Sequence, residues 1–263
     1  DALLGMLEIA EHTAHLDIIS IVGLPIVIGQ QLLNVAAVIQ HGHILGMIPK
    51  SYLPNYKEFY EQRWFVSAFD NLMSEYDIRG EHIPVGNDLL FSTPEVVFGI
   101  EICEDLWAPV PRSSFLAMQG AEIIFNLSAS NECVGKHKYL RTLISQQSGR
   151  LIAGYVYSSC GFGESSTDVV FSGNAFICEN GSFLCEANRF DYEPQLLVND
   201  IDVDCLRNER LTNTTFKACR NHMTHFSFRM IMTKPLAEGS KQLHRVIPSH
   251  PFIPNDRDYD ETC

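Results

Sequence analysis

Basic residues are few in this 263-residue chain, with 19 Lys and Arg against 32 Asp and Glu, a net charge of −13 and a pI near 5.1. That balance repels phosphate backbones and, with no Lys/Arg run to offer a local footprint, excludes a nucleic-acid partner. Long apolar runs are also missing, and none approaches the roughly 20 residues that a bilayer span needs. The start, Asp1-Ala-Leu-Leu-Gly, lacks a basic signal-peptide region, so the expected location is the cytoplasm, away from the membrane. The eight cysteines, at positions 103, 133, 160, 178, 185, 205, 219 and 263, contain no Cys-x-x-Cys pair. Reduced thiols are therefore expected. The histidine pairs His12/His15, His41/His43 and His222/His225 find no cysteine partners at zinc spacing, so no metal site is expected. Repeats and low-complexity segments are absent, and a 46% hydrophobic content predicts a globular chain with a sizeable core.

The periodicity predicts a helix over residues 1–12 that feeds a strand over Asp17–Pro25. Leu33–Gln40 and Ile44–Pro49 flank His41-Gly-His43 and predict a hairpin that ends at Lys50. Residues 51–94 are aromatic and turn-rich with no clean period, which predicts a functional loop region rather than disorder. Glu95–Cys103 reads as a buried strand, followed by a helix at 111–119, a strand at Ala121–Asn126, a helix at 136–149 and a strand at Leu151–Tyr157. This alternation argues an α/β class protein. Val169–Cys178 and Ser182–Glu186 flank an Asn-Gly turn, and Gln195–Asp202 reads as a further strand. The division expected is a domain over 1–233 and an extended, proline-rich C-terminal arm or linker over 234–263.

Cys103 ends an apolar strand and precedes turn-compatible residues, the place where α/β sheets present reactive groups. An inert buried thiol is the common alternative, and Glu101, Glu104 and Asp105 oppose a thiolate unless a cation stands nearby. Lys50, at the end of its own apolar strand, is the candidate cation, with a solvated lysine as the alternative reading. Gly161-Phe-Gly163 lacks the third glycine and the following helix of a nucleotide loop.

Ile48-Pro-Lys-Ser-Tyr-Leu-Pro-Asn-Tyr-Lys-Glu-Phe-Tyr-Glu-Gln-Arg-Trp-Phe65 and Phe98-Gly-Ile-Glu-Ile-Cys-Glu-Asp-Leu-Trp107 together resemble the nitrilase, or carbon-nitrogen hydrolase, superfamily. More narrowly, with Asn126-Leu-Ser-Ala-Ser-Asn-Glu-Cys-Val-Gly-Lys136 and Gly163-Glu-Ser-Ser-Thr-Asp-Val-Val-Phe-Ser-Gly173, they resemble the glutaminase domain of glutamine-dependent NAD synthetases. The resemblance spans residues 1 to about 255. It implies an α/β fold, the αββα four-layer sandwich, and a Glu-Lys-Cys triad in which Cys103 attacks the amide carbon of glutamine. Lys50 and the Glu104 N–H would hold the oxyanion, and a glutamate would act as base. It further implies that Tyr56, Glu104, Trp107, Ser130 and Lys136 line the glutamine pocket and that Glu61 is an additional glutamate beside the triad.

Each of these has a structural alternative: core aromatics for Tyr56 and Trp107, a helix N-cap for Ser130, and solvated charges for Lys136 and Glu61. The family's catalytic glutamate stands in a Pro-Glu context well before the lysine. No such segment occurs here, and Glu8 and Glu11 do not match it. The resemblance thus implies that the family's first strand, helix and second strand are missing. It also implies no cofactor in this domain, ATP and deamido-NAD belonging to an absent synthetase domain that would be its partner. An exposed sheet edge then predicts a truncated chain or homo-oligomer contacts. Two other functions stay open at this point: a stand-alone amidase of the same superfamily, and a catalytically dead assembly domain.

Overall fold

The computed structural model describes residues 1–164, 169–223, 225–237 and 242–247. Helix α1 (Ala2–Thr13) leads into β1 (Ile19–Ile28), β2 (Gln31–Gln40) and β3 (His43–Pro49), which form a three-stranded antiparallel sheet in that order. The β2–β3 turn places His41 at φ 48° and Gly42 at φ 82°. These left-handed values at both turn residues match the right-handed twist of the flanking strands.

The segment expected to be irregular holds more order than its composition suggests. It contains two 3₁₀ turns, Glu61–Arg63 and Ala68–Asp70, then a small hairpin of β4 (Glu75–Ile78) and β5 (Glu81–Pro84), then β6 (Leu89–Ser92). The hairpin turns through Arg79 and Gly80, again both at positive φ.

Next come β7 (Val97–Ile102), α2 (Arg112–Met118), β8 (Ile123–Ser128), α3 (Lys136–Leu151), β9 (Gly154–Ser159), β10 (Ala175–Glu179) and β11 (Ser182–Glu186). They are followed by α4 (Val203–Thr212), α5 (Thr214–His222) and β12 (Arg229–Met232). The second sheet has seven strands in the order β11-β10-β9-β8-β7-β6-β12. Strands β7, β8 and β9 run parallel at its centre, joined by crossovers through α2 and α3.

The layering follows from which side chains each strand sends to each face. Met6 and Ala10 of α1 pack on Leu24, Ile26, Leu33, Val35 and Ala37, the outer face of the first sheet. Ala36, Val38 and Ile48 turn the other way and meet Leu89, Phe91, Phe98, Ile100 and Ile102 of the second sheet. The far face of that sheet is covered by Leu116 of α2 and Leu140 and Ile144 of α3, packed on Leu90, Ile124, Tyr155 and Phe176. Helix, sheet, sheet and helix are thus stacked as an αββα sandwich. Strand β2 is apolar at successive positions because both its faces are covered.

Two expectations fail. Gln195–Asp202 forms no strand, and only residues 175–178 of the Val169–Cys178 run are extended in the ladder. Asn199 explains the first failure. Its side-chain amide donates to the Leu184 carbonyl (3.3 Å) and its side-chain oxygen accepts from the Asp200 N–H (2.9 Å), an alternative to a ladder that such a residue readily takes. The arm expected from residue 234 begins pinned to the first sheet, with the Lys234 N–H donating to Gln40 (2.8 Å) and the Gln40 amide donating back to the Lys234 carbonyl (2.9 Å). Most of that arm, and part of the Gly163–Gly173 motif, lie outside the described residues.

Candidate active site

Alternation along β7 sends Phe98, Ile100 and Ile102 between the sheets and Glu101 toward α2, and the pattern breaks at Cys103. Cys103 opens a 3₁₀ turn, Cys103–Leu106, at φ 48°. A left-handed non-glycine residue costs on the order of 1 kcal/mol or more and persists only where its surroundings hold it.

The Cys103 N–H donates to Asn126 Oδ1 (3.1 Å), and the Asn126 amide donates to Tyr155 Oη (3.1 Å). The Tyr155 hydroxyl in turn donates to Glu101, whose other oxygen accepts from the Ser113 N–H (2.7 Å). All of these side chains are buried. Burial raises the Glu101 carboxyl above its usual range, and burial together with Glu101 raises the Tyr155 hydroxyl. Glu104 and Asp105 follow in the first positions of the turn, where helical N–H groups have no partner within the helix.

Lys50 lies one residue past β3, its N–H donating to the Asn34 carbonyl (2.8 Å). It is only 1% exposed, and its ammonium donates to both Glu61 oxygens at 2.7 Å. Glu61 retains 25% side-chain exposure, so a buried cation faces a carboxylate at the rim.

Asp105 joins the lysine's loop to the cysteine's turn. Its carboxylate accepts from the N–H groups of Ser51 (3.1 Å), Tyr52 (2.8 Å) and Ile102 (3.0 Å). Burial pushes this carboxyl up to about 7 against the pull of those donors. The carboxylates of Glu101 and Asp105 are thus each engaged with other groups, Glu101 toward α2 and Asp105 toward the lysine's loop.

The remaining predicted residues fall into separate contacts, Tyr56 with Glu104, Trp107 with Lys136, and Ser130 beside Tyr157. The Tyr56 hydroxyl donates to Glu104 Oε1 (2.6 Å), and burial, then Glu104, raises its pKa. Tyr56 is 50% exposed and is no core aromatic. Both residues border an open cleft of about 640 Å³ that also reaches Tyr52, Leu53, Phe65 and Val66.

Trp107 is half-buried, stacks on Tyr139 (5.6 Å between centroids) and lies 5.3 Å from the Lys136 ammonium. Lys136 begins α3, and Gly135 is the N-cap there, so Ser130 is not. Ser130 is buried beside Tyr157, whose hydroxyl donates to Ser128 Oγ (2.8 Å). Burial, then the neighbouring Cys103, raises the Tyr157 hydroxyl.

The sequence reading missed Asp105, Asn126, Tyr155, Asn131 and Glu58 as partners of these groups. Asn126 carried a signal, since a polar residue inside the apolar strand Ile123–Ser128 requires a buried partner. Among the described residues no cluster of His, Cys, Asp and Glu suits a metal ion, and no helix is long and apolar enough to cross a membrane.

A cysteine held in a left-handed turn, tied through one carboxylate to a loop that buries a lysine, between two sheets covered by helices, defines a class. The chain belongs to the carbon-nitrogen hydrolase family, whose model matches residues 6–210. It is 38% identical over 259 residues to the glutamine-dependent NAD(+) synthetase of Mycobacterium tuberculosis, covering 96% of this chain and 38% of that relative. Among solved structures it resembles a glutamine-dependent NAD(+) synthetase from Cytophaga hutchinsonii, with a TM-score of 0.64 and 26% identity over 73% of this chain and 31% of that one. A carbon-nitrogen hydrolase from Helicobacter pylori shares the fold at a TM-score of 0.64 and 19% identity, over 81% of this chain and 73% of that one. The chain spans well under half the length of the synthetases that it matches.

Proposed function

We propose that this chain hydrolyses the side-chain amide of glutamine through a thioester on Cys103. The ammonia is then passed to a synthetase domain that amidates deamido-NAD with ATP. The observation that supports the reading is that Asp105 bonds the backbone just after the buried Lys50, at Ser51 and Tyr52, to the backbone just before the strained, partly exposed Cys103, at Ile102. The likeness to glutamine-dependent NAD(+) synthetases supports glutamine as the amide.

In this mechanism the Cys103 sulfur forms a bond to the carboxamide carbon, and the developing oxyanion is held by the Lys50 ammonium and the Glu104 N–H. The carbon–nitrogen bond then breaks, and ammonia departs with the proton released by the thiol. A water molecule attacks the thioester, returning the proton to sulfur and releasing glutamate. The family resemblance assigns the base of both steps to a glutamate in a Pro-Glu segment that has no counterpart in this sequence, so the residues present carry the attack by Cys103 and the oxyanion, and turnover depends on that glutamate. Glu61, bonded to the Lys50 nitrogen through both oxygens at 2.7 Å, holds that side chain in place. Tyr56, Glu104, Trp107, Ser130 and Lys136 line the pocket, where one cation and one carboxylate suit the zwitterionic head of an amino acid.

Competition tests the reading. Glutamine is expected to protect Cys103 from iodoacetamide at concentrations where propionamide does not. Equal protection by the two amides would refute the glutamine assignment.

A further inference from the structure

The Lys136 ammonium sits among rings, 5.3 Å from the centroid of Trp107 and 5.9 Å from that of Phe59. It donates to Asn131 Oδ1 at 2.6 Å. A primary ammonium has three donors, so this bond leaves capacity for a ligand. Asn131 is itself buried, and its amide nitrogen donates to Glu58 Oε1, also at 2.6 Å. These two partners fix the sense of the amide, because the flipped arrangement would turn its N–H groups on the ammonium.

Glu58 belongs to the loop that follows Lys50, whereas Asn131 lies between β8 and α3 and Lys136 opens α3. The relay Glu58–Asn131–Lys136 therefore joins two segments that carry the proposed pocket. The Glu58 carboxyl is held below its usual range by its own backbone N–H and by Asn131. A carboxylate behind the amide polarises it toward the lysine, as charged ends strengthen hydrogen bonds along a chain.

We propose that Asn131 and Glu58 are positioning residues that hold the Lys136 ammonium in place for the carboxylate of an amino-acid substrate, making the site prefer a charged head group over a plain amide. This inference rests on the glutamine reading above. The physical reason is preorganisation. Lysine has a long flexible stem, and an ammonium fixed before the ligand arrives loses less entropy on binding than one that must be found.

The test compares two electrophiles on the full 263-residue chain, a diazoketone analogue of glutamine and iodoacetamide, with adducts at Cys103 read by peptide mass spectrometry. Asn131→Ala is expected to slow the analogue about tenfold, the scale of one hydrogen bond to a charged group, while changing the iodoacetamide rate less than about twofold. Glu58→Gln keeps the bond to Asn131 but removes the charge, and is expected to slow the analogue about threefold. Because Asn131 acts through Lys136, the double variant Asn131→Ala/Lys136→Ala should react no more slowly than Lys136→Ala alone.

Losses that multiply in the double variant, or equal slowing of both reagents, would overturn the proposal. If Asn131→Ala does not fold, Glu58→Gln at the more exposed end of the relay carries the same comparison. An unvaried chain that shows no preference for the analogue sinks the glutamine reading itself. A preference that survives both substitutions sinks this inference alone.

Discussion

The turn after β7 carries Cys103 and strand β10 carries Cys178 on the same seven-stranded sheet, and the two thiols meet opposite surroundings. Cys178 lies within β10, fully buried among Leu140, Ile144 and Phe176, and burial pushes its thiol up to about 12. Cys103 lies just past the end of its strand, partly exposed, in a left-handed turn whose first N–H is taken by Asn126. The loop bearing a buried lysine is bonded to the same turn. A thiol's chemistry here is decided by one step of backbone, from inside a ladder to beyond it, and by what the neighbouring loop brings.

Breaking the charged side of the site should have the largest effect. Lys50→Ala is expected to slow modification of Cys103 by the glutamine analogue about 10²- to 10³-fold, the scale of losing an oxyanion partner. Glu61→Gln leaves a buried ammonium without its counter-charge and should destabilise the fold by on the order of 3 kcal/mol in urea unfolding. If either variant matched the unsubstituted chain, the pair would be a surface ornament and the contrast with Cys178 would lose its cause.

Asp105→Asn comes next, at about 1–3 kcal/mol, since an amide nitrogen faces at least one of the N–H groups that the carboxylate now accepts from. Its pH dependence has a definite sign. Burial raises this carboxyl from 3.8 to about 7, so across that window the folded chain holds a proton that the unfolded chain has released. Its stability contribution is fully present below 3.8 and is lost as the pH rises through about 7. Unfolding at successive pH values should show the unsubstituted chain losing stability relative to Asp105→Asn over that range, and the reverse trend would contradict the burial argument. The smallest effect is expected at the other cysteine. Cys178→Ala should cost about 1 kcal/mol, as for a small buried apolar group, and leave the labelling rate of Cys103 unchanged.

The parts of the fold visible in the sequence were those with strong local signals. Helices α1, α2 and α3 show their period, and His41-Gly42 and Asn180-Gly181 mark their hairpins through residues that tolerate positive φ. Strands β6 and β12 were hidden because both are four residues long and pair with each other across a distant stretch of chain. Leu89–Ser92 is short, sits in an aromatic segment, and pairs in parallel with residues about 140 positions away. Arg79-Gly80 makes the same kind of turn as the two hairpins that were read, but arginine gives no turn signal. Helices α4 and α5 each bury one residue, Leu206 and Phe216, too few to show a period. Their caps, Asp202 and Asn213, are visible only once the bonds to Cys205 and Phe216 are seen.

At the site, Lys50 and Cys103 were legible from strand ends and from resemblance. Asp105 was not, because it read as a charge opposing the thiolate when its bonds instead close the gap between the two segments.

On the proposed reading Cys103, alone among the described cysteines, is set up to attack an amino-acid amide. Treating the chain with the diazoketone analogue of glutamine and mapping every adduct by mass spectrometry tests it directly. One adduct is expected, on Cys103, suppressed by added glutamine. Adducts forming as fast on the exposed Cys133, Cys205 or Cys219, or an adduct on Cys103 indifferent to glutamine, would contradict it.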